Sequence, residues 1–179
     1  MGKRTGIFLK SFWQGCCVVL LFCAELTLAT PKVDEVRVRA IVAYKIMHFV
    51  VWPERPSALK LCTIGSTQLS KLLDEIASQD SKKSRITVND YKLGADLKNH
   101  CDALYIRNLD DNELKLVLKN LEEWPVLTIG DSEAFARVGG MIGLYTENDK
   151  VRFAVNINAV KDAGLLVKSQ LLSLAKVIQ

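Results

Sequence analysis

The sequence predicts an α/β fold: a mainly parallel sheet with helices on both faces, flavodoxin-like or Rossmann-like, with a C-terminal antiparallel hairpin. Three observations predict it. Short apolar runs at 59–64, 102–106 and 126–129 read as strands buried on both sides. Between them lie segments whose apolar residues recur at i, i+3, i+4 and i+7, the spacing of a helix with one buried stripe. Residues 141–146 and 151–156 flank Glu147-Asn148-Asp149-Lys150, as two strands flank a hairpin turn.

The elements follow in order. Residues 1–29 read as a secretory signal: Lys3, Arg4 and Lys10 precede the apolar core 16–24, and Thr27-Leu28-Ala29 offers small residues for cleavage. The core is shorter than the roughly 20 apolar residues of a spanning helix, which argues against a retained anchor. Neither Cys16 nor Cys23 sits in a good lipoprotein site. The remaining 30–179 is expected to be one domain, long enough at about 150 residues for a real core. Residues 33–51 read as a helix stopped by Trp52-Pro53. Arg37, Ile41, Lys45 and His48 make one stripe of it, and nearly every other position is apolar, more than one core face requires. The strand 59–64 ends at Gly65. A helix capped by Ser66 or Thr67 carries Leu69, Leu72, Leu73 and Ile76. Residues 85–91 alternate around Ile86 and Val88 as a second strand. After the strand 102–106, Asp110 with Glu113 opens a helix with the stripe Leu114, Val117, Leu118 and Leu121. Residues 126–129 form the fourth strand. Beyond the hairpin, which is expected at one sheet edge, come a helix near Ala159 and a terminal helix through Leu171, Leu174, Ala175 and Ile178.

Composition excludes some functions. The chain carries 24 basic and 20 acidic residues. Losing Lys3, Arg4, Lys10 and Glu25 with the leader leaves a nearly balanced domain, with no electrostatic footprint for nucleic acid. Lys82-Lys83-Ser84-Arg85 lacks interleaved aromatics and reads as a solvated turn. Three of the five cysteines leave with the leader. Cys62 and Cys101 remain, and two cysteines in an exported domain point to a disulfide. With strands ordered 2-1-3-4, their two strands are neighbours about 4.8 Å apart, a spacing a disulfide accepts. His48 and His100 do not complete a metal-ligand set, so neither a metal nor another cofactor is expected.

Ligands of open α/β sheets bind beyond the carboxyl ends of the strands. Here that edge carries Gly65-Ser66-Thr67, Arg107-Asn108 and Gly130-Asp131-Ser132. Gly65-Ser66-Thr67 suits either an anion or an ordinary chain reversal before a capped helix. Asp131 suits either a general base or, more simply, the cap of the next helix. Arg152 alternates with Val151 and Phe153 and is expected to point away from the core, toward a carboxylate of the same sheet or of a partner. No serine or threonine stands at a suggestive spacing from a histidine. A catalyst is therefore a weak reading, and a small-molecule-binding sensor using this strand-end crevice is the reading the edge itself offers.

An ordered set of segments sharpens this. The helix through Arg39-Ala40-Ile41-Val42-Ala43-Tyr44 to Phe49-Val50-Val51-Trp52-Pro53, then Leu61-Cys62-Thr63-Ile64-Gly65, Cys101-Asp102-Ala103-Leu104-Tyr105-Ile106, Pro125 to Asp131, Phe135, Gly139-Gly140-Met141-Ile142 and Val151-Arg152-Phe153 resemble the YfiR-like family in sequence. The resemblance covers residues 33–179. It implies a non-catalytic periplasmic repressor, often dimeric, held on the periplasmic part of a membrane-bound diguanylate cyclase, whose release raises cyclic di-GMP and favours biofilm. Several members carry a second disulfide near Gly139-Gly140. This chain has Ala136 and Gly143 at those places, which implies that a switch on that bridge is absent. Lys45 replaces the small polar residue of many members. The surplus apolar face of the first helix is expected to meet a second copy or the cyclase, with Val38, Val42, Phe49, Trp52 and Pro53 as candidates.

Overall fold

The computed structural model describes residues 34–54, 56–80 and 85–179. The leader expected at 1–29, residues 30–33 and Lys82-Lys83-Ser84 of the basic turn lie outside them. Asp34 caps α1 (Glu35–Met47) by accepting from the Val36 N–H at 3.1 Å. The chain continues through β1 (Val50–Val51), β2 (Leu59–Ile64), α2 (Thr67–Gln79), β3 (Ile86–Tyr91), α3 (Leu97–His100), β4 (Ala103–Ile106), α4 (Asp111–Leu121), β5 (Leu127–Gly130) and α5 (Glu133–Arg137). It closes with β6 (Ile142–Glu147), β7 (Lys150–Asn156), α6 (Ile157–Asp162), β8 (Leu166–Val167), α7 (Ser169–Leu172) and β9 (Lys176–Ile178).

The main sheet runs β3-β2-β4-β5-β6-β7-β9. Its first five strands are parallel, and β3-β2-β4-β5 reproduces the expected 2-1-3-4 order. Period-two alternation divides the core between the two faces. Leu61, Ala103, Tyr105, Leu127 and Ile129 pack in one cluster with α1 and α2. Cys62, Ile64, Leu104 and Ile106 pack in a second with Leu97, Val117, Leu121 and Phe135 of α3, α4 and α5. The expected capping box of α4 is complete, with Asp110 bonded to the Glu113 N–H and Glu113 bonded back to the Asp110 N–H. The β6–β7 turn places Asn148 and Asp149 at positive φ, as a tight hairpin of this hand requires.

Three expectations need correction. The first helix ends at Met47, not at Trp52-Pro53. The β-branched pair Val50-Val51 instead joins β8 in a two-stranded antiparallel ribbon. The terminal helix is four residues of α7, and the chain then extends as β9. Apolar spacing at Leu171, Leu174 and Ile178 suits a helix, but the open backbone groups of β7 offer a ladder, and β9 takes it in parallel. The hairpin is consequently not at the edge, because β9 lies outside β7.

Cys62 in β2 and Cys101 just before β4 form the expected disulfide, with Cα atoms 5.7 Å apart. Both cysteines are buried. The bridge closes a loop of sequence separation 39, which in the chain-entropy account stabilises the fold by about 4 kcal/mol. Cys62→Ser and Cys101→Ser are expected to lower unfolding free energy by similar amounts near that value. The double variant should be little worse than either, since the cross-link is lost once. Denaturant unfolding of the three variants checks this, and free thiols in the native wild type would sink it.

Candidate functional site: the strand-end crevice

The parallel register of β4 and β5 pairs Ile106 with Gly130. One residue further on, Arg107 and Asp131 leave the two strands side by side, toward the face that α1 covers. Arg107 Nε meets Asp131 Oδ2 in an ion pair. Tyr105, buried in β4, donates its hydroxyl to Asp131 Oδ1. From α1, Arg39 donates through Nη1 to the Asp131 main-chain oxygen at 3.0 Å and stands 3.6 Å from Oδ1. Its Nη2 reaches Glu35 at 2.7 Å and the Thr146 hydroxyl of β6 at 3.2 Å. The Asp131 carboxylate, at the end of β5, thus gathers two guanidiniums and a phenol from α1, β4 and the residue after β4. Burial, then the Asp131 charge, push the Tyr105 phenol far above the ordinary tyrosine range, so it stays a donor.

With both carboxylate oxygens engaged, Asp131 is poorly placed to take a substrate proton. Nor is it a helix cap: Ser132, one residue on, accepts from the Phe135 N–H at 3.1 Å and caps α5. Gly65 and Ser66 lie elsewhere along the same edge. Gly65 adopts φ +83, and a Cβ there would stand 1.7 Å from the Arg107 carbonyl oxygen. Asn108 Nδ2 donates to the Gly65 oxygen at 3.0 Å, and Ser66 caps α2. The chain closes on itself at the β2–β4 crossover, as a chain reversal before the capped helix α2. Gly130 serves packing: with Gly140 it leaves room for the Phe135 ring, which a Cβ at either position would strike.

An open crevice lies one strand over, beyond β4 and β5, with a volume of about 430 Å³. Arg39, Arg107 and Asp131 line one side and Ile106, Leu114 and Phe135 another. Arg107 and Asp131 were legible as strand-end residues. Tyr105 and Arg39 were not singled out for this site. Their signals were faint: a tyrosine next to last in an apolar strand, and a basic residue among the apolar positions of a helix.

The partner candidates divide. Val42 packs on the core. Trp52 is buried, and its Nε1 donates to the Asp102 oxygen at 2.9 Å. Val38 is half-buried and Pro53 exposed. Phe49 is 37% exposed, and Leu166, in the strand paired with β1, is 64% exposed. The polar stripe of α1 falls as expected, with Arg37, Lys45 and His48 exposed. Arg152 is exposed on β7, opposite Tyr145 of β6. Among the described residues no helix is long and apolar enough to cross a membrane.

A sequence model described as YfiR/HmsC-like matches residues 36–176. Two solved structures are similar in fold. The crystal structure of the ABC domain in complex with L-Trp from Streptococcus pneumonia superposes with a TM-score of 0.59 at 12% identity, covering 78% of this chain and 60% of that one. A conserved domain protein from Vibrio cholerae O1 biovar El Tor superposes with a TM-score of 0.53 at 12% identity, covering 81% and 60%. This chain spans three-fifths of the length of each neighbour, and the likeness concerns the fold alone.

The Tyr105–Asp131 bond makes a testable prediction. Tyr105→Phe removes a donor from a carboxylate that is largely out of water, at an expected cost of about 1–3 kcal/mol near pH 7. The folded protein holds the Tyr105 proton above the ordinary pKa of about 10, where the unfolded chain releases it. The native state then binds more protons than the unfolded state, so stability falls as pH rises past that value. Phenylalanine has no such proton. The deficit of the variant is therefore expected to shrink above about pH 10. Urea unfolding of both proteins from pH 7 upward measures it, and a constant deficit would contradict the role given to Tyr105.

Proposed function

Because the chain belongs to the YfiR/HmsC-like family, we propose that it is a periplasmic regulator that represses a membrane-bound diguanylate cyclase by protein–protein binding, lowering cyclic di-GMP signalling and biofilm formation. The observation that carries this is the extent of the match, which begins in α1 and ends in β9. In this reading residues 1–29 are a signal peptide that delivers the single domain 30–179 to the periplasm. The protein acts there without catalysis or cofactor, as a homodimer, on the periplasmic part of the cyclase.

The half-exposed apolar positions of α1 and of the ribbon beside it support a protein contact. Val38 and Phe49 are the candidates the geometry leaves available, with Pro53 and Arg152 beside solvent. Val42 and Trp52 contribute by holding the helix and the ribbon on the core. A second reading, a small-molecule-binding sensor, is favoured by the crevice beyond β4 and β5. A fold neighbour was solved in complex with L-Trp, and the two readings combine if a ligand sets the affinity for the cyclase.

Pull-down of the tagged mature protein from membranes is expected to recover a diguanylate cyclase, and absence of one alongside a tightly retained metabolite would favour the sensor alone. Val38→Asp and Phe49→Asp are each expected to raise cyclic di-GMP in cells, while purified variants keep a wild-type unfolding transition. Leu73→Ala, at a fully buried site, is the contrasting case and should act through a loss of about 2–5 kcal/mol. If both aspartate variants fold, repress normally and keep the wild-type oligomeric state, the α1 face is not the contact.

A further inference from the structure

Resting on the sensor reading of the same crevice, we propose that it takes a small carboxylate with an apolar body, and that this ligand loosens α1 by competing with Asp131 for Arg39. The first ground is Arg107. Its pairing with Asp131 runs through Nε, which leaves the two terminal nitrogens without a protein acceptor among the described residues. That edge of a guanidinium matches the two oxygens of a carboxylate. The side chain keeps 23% of its surface accessible, and it lines the crevice.

The second ground is Arg39. Its Nε is buried with no hydrogen-bond partner. Buried donors are normally satisfied, and those that are not call for a reason. Arg39 reaches Asp131 by one nitrogen to the main chain and only loosely to the carboxylate, so a better placed acceptor in the crevice can draw it away. The remaining walls fix the ligand class. Ile106, Leu114 and Phe135 present an apolar surface, which asks for an apolar body. Asp111 lies at the same crevice, so two acidic groups balance the two guanidiniums. With Glu35 also on Arg39, the site carries no net positive charge, which disfavours a polyphosphate and leaves the open Arg107 edge to take one carboxylate. The volume, about 430 Å³, falls within the range of small-molecule sites.

The same geometry gives the response. Arg39 sits on α1, and its bonds to Asp131, Glu35 and Thr146 tie the helix to the ends of β5 and β6. A ligand that binds better when Arg39 has left Asp131 shifts the population toward a helix with fewer ties. Occupancy of the crevice thereby reaches the face that carries Val38 without any contact between the two.

The test uses the mature, oxidised protein and phenylacetate as probe, with phenethylamine as the same ring bearing the opposite charge. Calorimetric titration is expected to give saturable binding of phenylacetate and none of phenethylamine. Arg107→Gln is expected to weaken phenylacetate at least tenfold. If that variant does not fold, Arg107→Lys keeps the charge beside Asp131 and removes the forked edge, with the same expected loss. Amide hydrogen exchange of residues 35–47 should accelerate with saturating phenylacetate in the wild type, and Arg39→Lys should diminish that acceleration. Binding of phenethylamine in place of phenylacetate overturns the ligand class and leaves a sensor standing. Binding of neither overturns the site. Phenylacetate binding that survives both Arg107 variants overturns its placement. Unchanged exchange in α1 under saturation overturns the coupling.

Discussion

The architecture of the strand-end site depends on one carboxylate that must be matched. Asp131 leaves β5 on the side that α1 covers, where an unpaired charge would be costly. The β4–β5 register brings Arg107 beside it, β4 supplies the Tyr105 hydroxyl, and α1 supplies Arg39. These groups come from positions up to 92 residues apart, and they meet only if the strand order, the register and the docking of α1 are all right. The cluster therefore reports on the fold as much as it equips the crevice. A one-residue slip of β4 against β5 would turn Arg107 to the opposite face and leave Asp131 with Arg39 alone.

The disulfide works at the other end of the same strands. Cys62 and Cys101 join β2 to the entry of β4, while Gly65, Arg107 and Asn108 close the exit of the same pair. The crossover between β2 and β4 is consequently clamped at both ends. This explains why the open crevice stands beside the topological switch point, where ligands of such sheets more often bind, and not in it. The available space lies beyond the ends of β4 and β5, lined by Leu114 of α4 and by Ala134 and Phe135 of α5.

What was legible in the sequence was local or rested on simple arithmetic. The strand runs, the stripes of α2 and α4, the capping box at Asp110 and the hairpin all rest on residues close together in the chain. The disulfide followed from having two cysteines outside the leader on strands that had to be neighbours. What was not legible depended on partners far away. Asp131 looked like a cap because Asp after Gly commonly is one, and Ser132 beside it is equally competent. Only the structure shows that Ser132 takes the cap and frees Asp131 for Arg107. Val50 and Val51 continue an apolar helix until β8 offers a ladder, and residues 176–178 look helical until β7 does the same. Edge pairing is a tertiary event, and local spacing carries little trace of it.

The same contrast bears on α1. Its apolar excess is mostly consumed within the domain: Ala40, Ala43, Tyr44, Ile46 and Met47 are buried, and Val36 and Val42 pack on the core. What remains outward, around Val38 and Ile41 with Phe49 beyond the helix end, is a narrow ridge and not a broad patch. A narrow ridge binds through a few centres, so its affinity is sensitive to how the helix is held. Arg39 lies next to Val38 in the chain and is the side chain that holds α1 to the strand ends. A change in its hydrogen bonding acts on the orientation of the ridge through the helix backbone, with no need for a path through the core. A ligand shifts such an equilibrium only by its difference in affinity for the two arrangements. The weak Arg39–carboxylate contact, set against the close Arg107–Asp131 pair, makes Arg39 the more readily exchanged of the two, and this places the responsive element on the helix and the fixed one on the sheet.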